Sequence, residues 1–124
     1  MIFIEGNVPS SKNSKQWTGR MLIKSKATRT YEAATEQAWR ENKEQFLDEV
    51  RLKPVPFRVG FYFVRGSRHK YDWVNPVQTI QDLMVKHEWM EDDNTTVMVP
   101  MPFKRNGVFD HYDKERPGVY IKVL

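Results

Sequence analysis

Cysteine is absent from the 124 residues, which excludes a disulfide scaffold, a thiolate zinc site and a cysteine nucleophile, and suits an ordinary cytoplasmic interior. Also missing is any apolar run near the roughly 20 residues that a membrane-spanning helix needs. The opening Met-Ile-Phe-Ile-Glu-Gly is too short for a secretory signal. The expectation is a soluble cytoplasmic protein of one domain, residues 1–124, long enough to bury a single core without staples. Several catalytic signatures are lacking as well: there is no glycine-rich phosphate loop, no His-Glu-x-x-His and no Gly-x-Ser-x-Gly. The three histidines, His69, His87 and His111, are scattered. Ser67 and Lys70 have Ser-x-x-Lys spacing, but that pairing recurs by chance and reads as a solvated loop.

What is present is charge, unevenly spread. The net charge is +4, a mild hint of a polyanionic partner. From Met1 to Tyr31, Lys12, Lys15, Arg20, Lys24, Lys26 and Arg29 stand against Glu5 alone, and a second basic knot follows at Arg65, Arg68 and Lys70. The sign then reverses at Glu88, Glu91, Asp92 and Asp93. A phosphate backbone is drawn to the first two groups and repelled by the third unless a cation sits there.

Periodicity organises the chain as β(β)αβαββ, an α+β domain with a mixed sheet. Ile2 to Glu5 reads as a strand ending at the Gly6-Asn7 turn pair, and "VPSSKNSKQWTGR" as a polar loop. Met21 to Ile23 suits a short second strand. From Thr28 to Leu47, helix formers with Tyr31, Ala34, Ala38, Trp39 and Phe46 at helical spacing predict the longest helix, closed by Pro54 and Pro56. "FRVGFYFV", Phe57 to Val64, is aromatic and β-branched and predicts a central strand. A second helix is expected with Asn75 as N-cap and Pro76 at its first position. Val77, Ile80, Leu83, Met84 and His87 would form its apolar side, making His87 a boundary residue rather than a base, with Gln78, Asp82 and Lys86 as a polar stripe opposite. Thr95 to Phe103, with Pro100 and Pro102, suits an edge strand, and Gly118 to Leu124 a final one after a loop at Asn106-Gly107.

The aspartates around the second helix raise the question of a metal. Mg²⁺ takes oxygen ligands, usually one or two carboxylates completed by water and substrate phosphates. Such a helix carries the chain about 18 Å away at about 1.5 Å per residue. Residues 88–93, if extended, return about 20 Å at about 3.3 Å each. Asp72 and Asp93 can therefore meet with little slack. Taken alone, "EDDN" reads as a helix-to-strand turn, and Asp82 as the partner of Lys86 in an exposed ion pair.

Asp72, Asn75, Asp82 and the closing Asp92-Asp93 stand at the spacing of a known signature, Asp-x-Asp-Asn followed by a lysine, an aspartate and Asp-Asp before a strand. With the opening strand, "VPSSKN", the basic loop and the long first helix, the sequence resembles the RusA family of Holliday junction resolvases over nearly its whole length. Two positions depart from the family pattern: Val74 stands where the second carboxylate is expected, and Gln78 where the lysine is. If residues 72 and 74 lay in a strand, both carboxylates would point to one side; here Asp72 alone does.

The resemblance implies a magnesium-dependent endonuclease, with manganese as a substitute, that cuts four-way DNA junctions by paired symmetric nicks as a homodimer. It places Asp72 and Asp93 first as metal ligands, with Asp82 and Asp92 next, and Asn75 and Gln78 beside them in the catalytic site. Lys12, Lys15, Arg20, Lys24, Lys26, Arg68 and Lys70 would carry the DNA backbones, and Trp17 would stack on an opened base or anchor its loop. The resemblance also implies a phage or prophage origin. The alternative, prompted by Val74 and Gln78, is a junction-binding relative with weakened or lost catalysis. A basic RNA-binding domain trails for want of an aromatic RNP-type pattern.

Overall fold

The computed structural model describes residues 1–10, 15–17 and 22–124. In chain order they form β1 (Ile2–Glu5), β2 (Lys15–Trp17), β3 (Leu22–Lys24), α1 (Lys26–Val50), β4 (Phe57–Arg65), α2 (Val74–Lys86), β5 (Met98–Pro102), β6 (Asp110–Tyr112) and β7 (Gly118–Val123). The aromatic run of β4 lies inside the sheet, as its composition predicts. Strand β7 pairs antiparallel with it on one side and with β1 beyond. On its other side β5 runs parallel along Phe57–Phe61, and β6 runs parallel along Phe63–Arg65. The sheet is thus mixed, and among the described residues the proline-bearing β5 pairs with β4 alone, at an edge.

Two strands were not expected. These are β2, which pairs antiparallel with β3 near the short strand expected at Met21 to Ile23, and β6, which occupies a segment read as loop. Each of these has only three residues, too few for a period-2 signal, and β6 exists because the end of β4 offers it an open edge. The turn before β6 keeps its expected place: Asn106 and Gly107 both have positive φ, 53° and 81°, bracketed by the Arg105–Val108 bridge.

Alternation divides the sheet into two faces. Val59, Phe61 and Phe63 of β4, Ile2 and Ile4 of β1, and Val119 and Ile121 of β7 join the helices in the main core. Tyr62, Tyr120 and Phe3 occupy the opposite face, where the Arg105 guanidinium stacks 3.7 Å from the Tyr120 ring. Gly118 permits the close approach of β1 and β7, because a Cβ there would stand 2.5 Å from the Ile4 carbonyl oxygen and strike the Phe3 ring.

The Ser25 hydroxyl caps α1 by accepting from the Thr28 N–H at 3.2 Å. The helix buries Thr28, Tyr31, Thr35, Trp39 and Phe46 along one stripe. The Trp89 indole N–H, just past α2, donates to the Trp39 carbonyl at 2.9 Å and its ring packs edge-on against Trp39 at 5.0 Å. This joint closes the two helices over the sheet; truncating an indole buried this fully costs about 3–5 kcal/mol. His87 sits half-buried at the rim as expected, stacked on Trp39 with centroids 6.4 Å apart.

Candidate active site

Strand β4 ends at Arg65 and passes the chain through residues 66–73 to α2. That connection is held from several sides. The Gly66 N–H donates to Asn7 Oδ1 at 2.8 Å, Arg65 Nη2 to Ser10 Oγ at 3.1 Å, and the Tyr71 hydroxyl to Asp110 Oδ2 at 2.6 Å. The Arg65 guanidinium lies 3.9 Å from the centre of the Tyr71 ring. Burial, and then the bond to Asp110, push the Tyr71 hydroxyl well above its ordinary pKa, so it remains a donor near neutrality. With Tyr71 clamped, the exposed Asp72 follows at the mouth of an open cleft of about 590 Å³ lined by Ser10, His69, Lys70, Tyr71, Asp72 and Asn75.

The start of α2 differs from expectation. Trp73, in helical conformation and without a side-chain cap bond, precedes the helix, and Asn75 is its second residue rather than its cap. The Asn75 backbone N–H donates to the Asp72 carbonyl at 3.0 Å. Proline fits anywhere in the first turn, whose N–H groups lack intrahelical acceptors, so Pro76 does not single out the first position. Val74 is therefore helical, not two along a strand from Asp72, and it is 64% exposed. Gln78 and Asp82 are exposed on α2, and the Lys86 ammonium lies 3.6 Å from Glu32 of α1.

The acidic stretch after α2 forms a self-bonded turn. Asp92 accepts from the Asp93 N–H at 2.7 Å and from the Asn94 amide at 2.8 Å, contacts that hold its exposed carboxyl below the ordinary range. Asn94 in turn accepts from the Thr96 N–H at 2.9 Å and from the Thr96 hydroxyl. Its carbonyl receives the Val97 and Met98 N–H groups as the chain enters β5. Asp93 is half-buried in this turn and does not line the Asp72 cleft. Among the described residues, no three His, Asp or Glu side chains gather closely enough to hold a metal. The cleft thus brings Asp72, Asn75 and Lys70 together, while Gln78, Asp82, Asp92 and Asp93 are not among its lining residues.

Of the basic residues, Lys24 is bound to Glu32 at 2.5 Å, Lys26 is exposed at the start of α1, and Arg68 is exposed with its guanidinium 4.5 Å from the Tyr112 ring centre. Lys12 and Arg20 lie outside the described residues, as do the side chains of Lys15 and Trp17. Sequence reasoning missed Ser10, His69, Tyr71 and Asp110 as parts of the site. Asp110 enters through β6, a strand without a periodic signature, so no local pattern links it to Tyr71.

The family model for endodeoxyribonuclease RusA matches residues 5–124. The chain belongs to the RusA family. No curated protein matches it. RusA proteins are endodeoxyribonucleases of the Holliday junction resolvase type and bind branched DNA. No helix among the described residues is long and apolar enough to cross a membrane. Asp72 and Asn75 offer a carboxylate and an amide oxygen on one open surface. That donor set fits Mg²⁺, which is completed by water and substrate phosphates, better than a metal needing an all-protein cage.

Proposed function

We propose that this RusA-family protein is a magnesium-dependent endonuclease that resolves four-way DNA junctions by paired symmetric nicks, acting as a homodimer. The observation that carries the reading is the cleft in which Asp72, Asn75 and Lys70 meet. A carboxylate, an amide oxygen and a cation on one open surface suit a phosphodiester and a hard metal together. Asp72 and Asn75 would hold the ion, with Asp93 first, then Asp92 and Asp82, as the source of a second carboxylate. Bound there, magnesium or manganese would supply a Lewis acid and would make a water more acidic than bulk water. Tyr71, fixed by Asp110 and Arg65, keeps Asp72 in place. Lys70 draws in the phosphate, and Gln78, lacking the fixed charge of a lysine, contributes hydrogen bonds only. Arg68 and Lys26, together with the basic residues of the N-terminal loop, would bind the arms through their backbones. Two-fold symmetric junctions require two matched cuts, which a C₂ dimer with one site per subunit provides.

A labelled synthetic junction incubated with Mg²⁺ or with chelator tests this. Metal-dependent symmetric nicks that disappear in Asp72→Asn and Asp93→Asn are expected. Tight junction binding without nicks at any metal concentration would sink the nuclease reading. Asp82→Asn separates a compensating carboxylate from a surface charge, since full retained activity assigns Asp82 to the surface.

The second reading is a junction-binding protein with weakened catalysis. Exposed Val74 favours it, because the first residue of α2 presents an isopropyl group to solvent where the family pattern has a carboxylate. Under that reading Val74→Asp raises cleavage from a low level. An unchanged rate alongside efficient wild-type cutting rules it out.

A further inference from the structure

Arg65 is the last residue of β4, and alternation places it on the same face as Val59, Phe61 and Phe63. A charge at the end of a core face is unusual, and its residue is only 6% exposed. Arginine cannot shed its proton to escape burial. Its Nη2 donates to Ser10 Oγ at 3.1 Å and its plane covers Tyr71 at 3.9 Å. Its Nε and Nη1, both buried, have no hydrogen-bond acceptor among the described residues. No carboxylate among the described residues forms an ion pair with it. Leaving donors of a buried cation unmatched is costly.

Arg65 lines a cavity of about 150 Å³ with Ser67, Arg68, His69, Tyr71, Asp110, His111 and Tyr112. Two of these charges are guanidinium groups. The one carboxylate, Asp110, is engaged by the Tyr71 hydroxyl, and His111 Nδ1 is bonded to the Tyr62 hydroxyl at 2.8 Å. His69 and Tyr71 also line the Asp72 cleft, so the two spaces adjoin. A water molecule would satisfy an N–H without adding charge, whereas a phosphate oxygen brings both an acceptor and a negative charge to a cavity that holds two guanidinium groups and one carboxylate.

We propose that Arg65 is the centre of a phosphate-binding subsite that grips the DNA backbone next to the Asp72 cleft, with Arg68 as its outer cation. The identity of the anion as a DNA phosphodiester rests on the nuclease reading; the affinity for a phosphate oxyanion does not. The subsite holds the strand in register while the neighbouring phosphate occupies the cleft.

The full chain, labelled with ¹⁵N at arginine, reports directly through the Arg65 Nε–H signal, assigned by comparison with Arg65→Lys. Inorganic phosphate, and separately a four-way junction in chelator, should each move that signal saturably. In the same buffer Arg65→Met should weaken junction binding about tenfold or more, the scale of a lost charge-assisted hydrogen bond. It should also lower the slope of log affinity against log salt by about one. Arg65→Lys, which keeps the charge but not the planar fork, should retain the slope and lose part of the affinity. An Arg65 signal unmoved by saturating junction overturns the proposal whether or not the Met variant folds, and leaves water as the occupant. So does a folded Arg65→Met with wild-type affinity and slope. If the wild type neither binds nor cuts junctions, the nuclease reading fails, while a saturable shift with inorganic phosphate still sustains the anion site.

Discussion

Tyr71 stands one residue before Asp72 and owes its position to two partners that are distant in the chain, Asp110 through its hydroxyl and Arg65 through its ring. Removing the hydroxyl would strip Asp110 of a donor in a partly buried setting. Tyr71→Phe is therefore expected to destabilise the fold by about 1.5–3 kcal/mol, the range for a hydrogen bond to a charged group, measured by urea denaturation. Cleavage should fall as well, chiefly in kcat, because loosening the residue next to Asp72 misplaces its carboxylate. Equal kcat in wild type and variant would show that Asp72 does not depend on the clamp. Asp72 and Asn75 could be picked out from motif spacing alone. Tyr71 could not, since its importance comes from contacts and not from its sequence neighbours.

The two helices meet at a joint formed by Trp39, Trp89 and His87. Burial first, and then the neighbouring Lys86 ammonium, lower the pKa of His87 below its ordinary value near 6.5. Glu36 and Glu32 pull the other way, and Arg40 adds to the lowering. A depressed histidine binds fewer protons in the folded state than in the unfolded one. Its contribution to stability is thus intact above the unfolded pKa and is lost as pH falls through that value toward the folded one. Melting temperature should decline from pH 7.5 to 5.5, and His87→Phe, which keeps the stacking on Trp39, should flatten that decline. A decline of equal steepness in the variant would place the pH response elsewhere. The apolar stripe that carries His87 was legible from the 3.6-residue period. The start of α2 was not, because a proline suits every position of a first turn equally.

Two matched cuts across a junction are a property of the assembly. In the homodimer proposed above, each subunit brings its own Asp72 cleft to one strand. A mixed dimer of wild type and Asp72→Asn, isolated with two different affinity tags, should nick one strand of a junction and leave it unresolved. Paired cuts by that mixed dimer would mean that one cleft serves both strands. The uneven charge suits the same task. Cations near the N-terminus and in the loop after β4 can follow backbones, while the acidic turn after α2 would repel them unless a metal or a basic neighbour offsets it.

Local chemistry determined a good part of this protein from sequence alone: two helices by periodicity, the central strand by its aromatic and β-branched run, and Asp72 with Asn75 by a spaced signature. These features depend on neighbours a few residues apart, so they are written locally. Tertiary structure alone decided the rest. Strand β6 forms only because the end of β4 has an open edge, and that pairing brings Asp110 to Tyr71 and closes the cavity over Arg65. It also set Asp93 half-buried in the turn after α2, outside the residues that line the Asp72 cleft. Chain length allows residues 72 and 93 to meet, but reach is only an upper bound, and where each carboxylate rests is a matter of packing that local sequence does not carry.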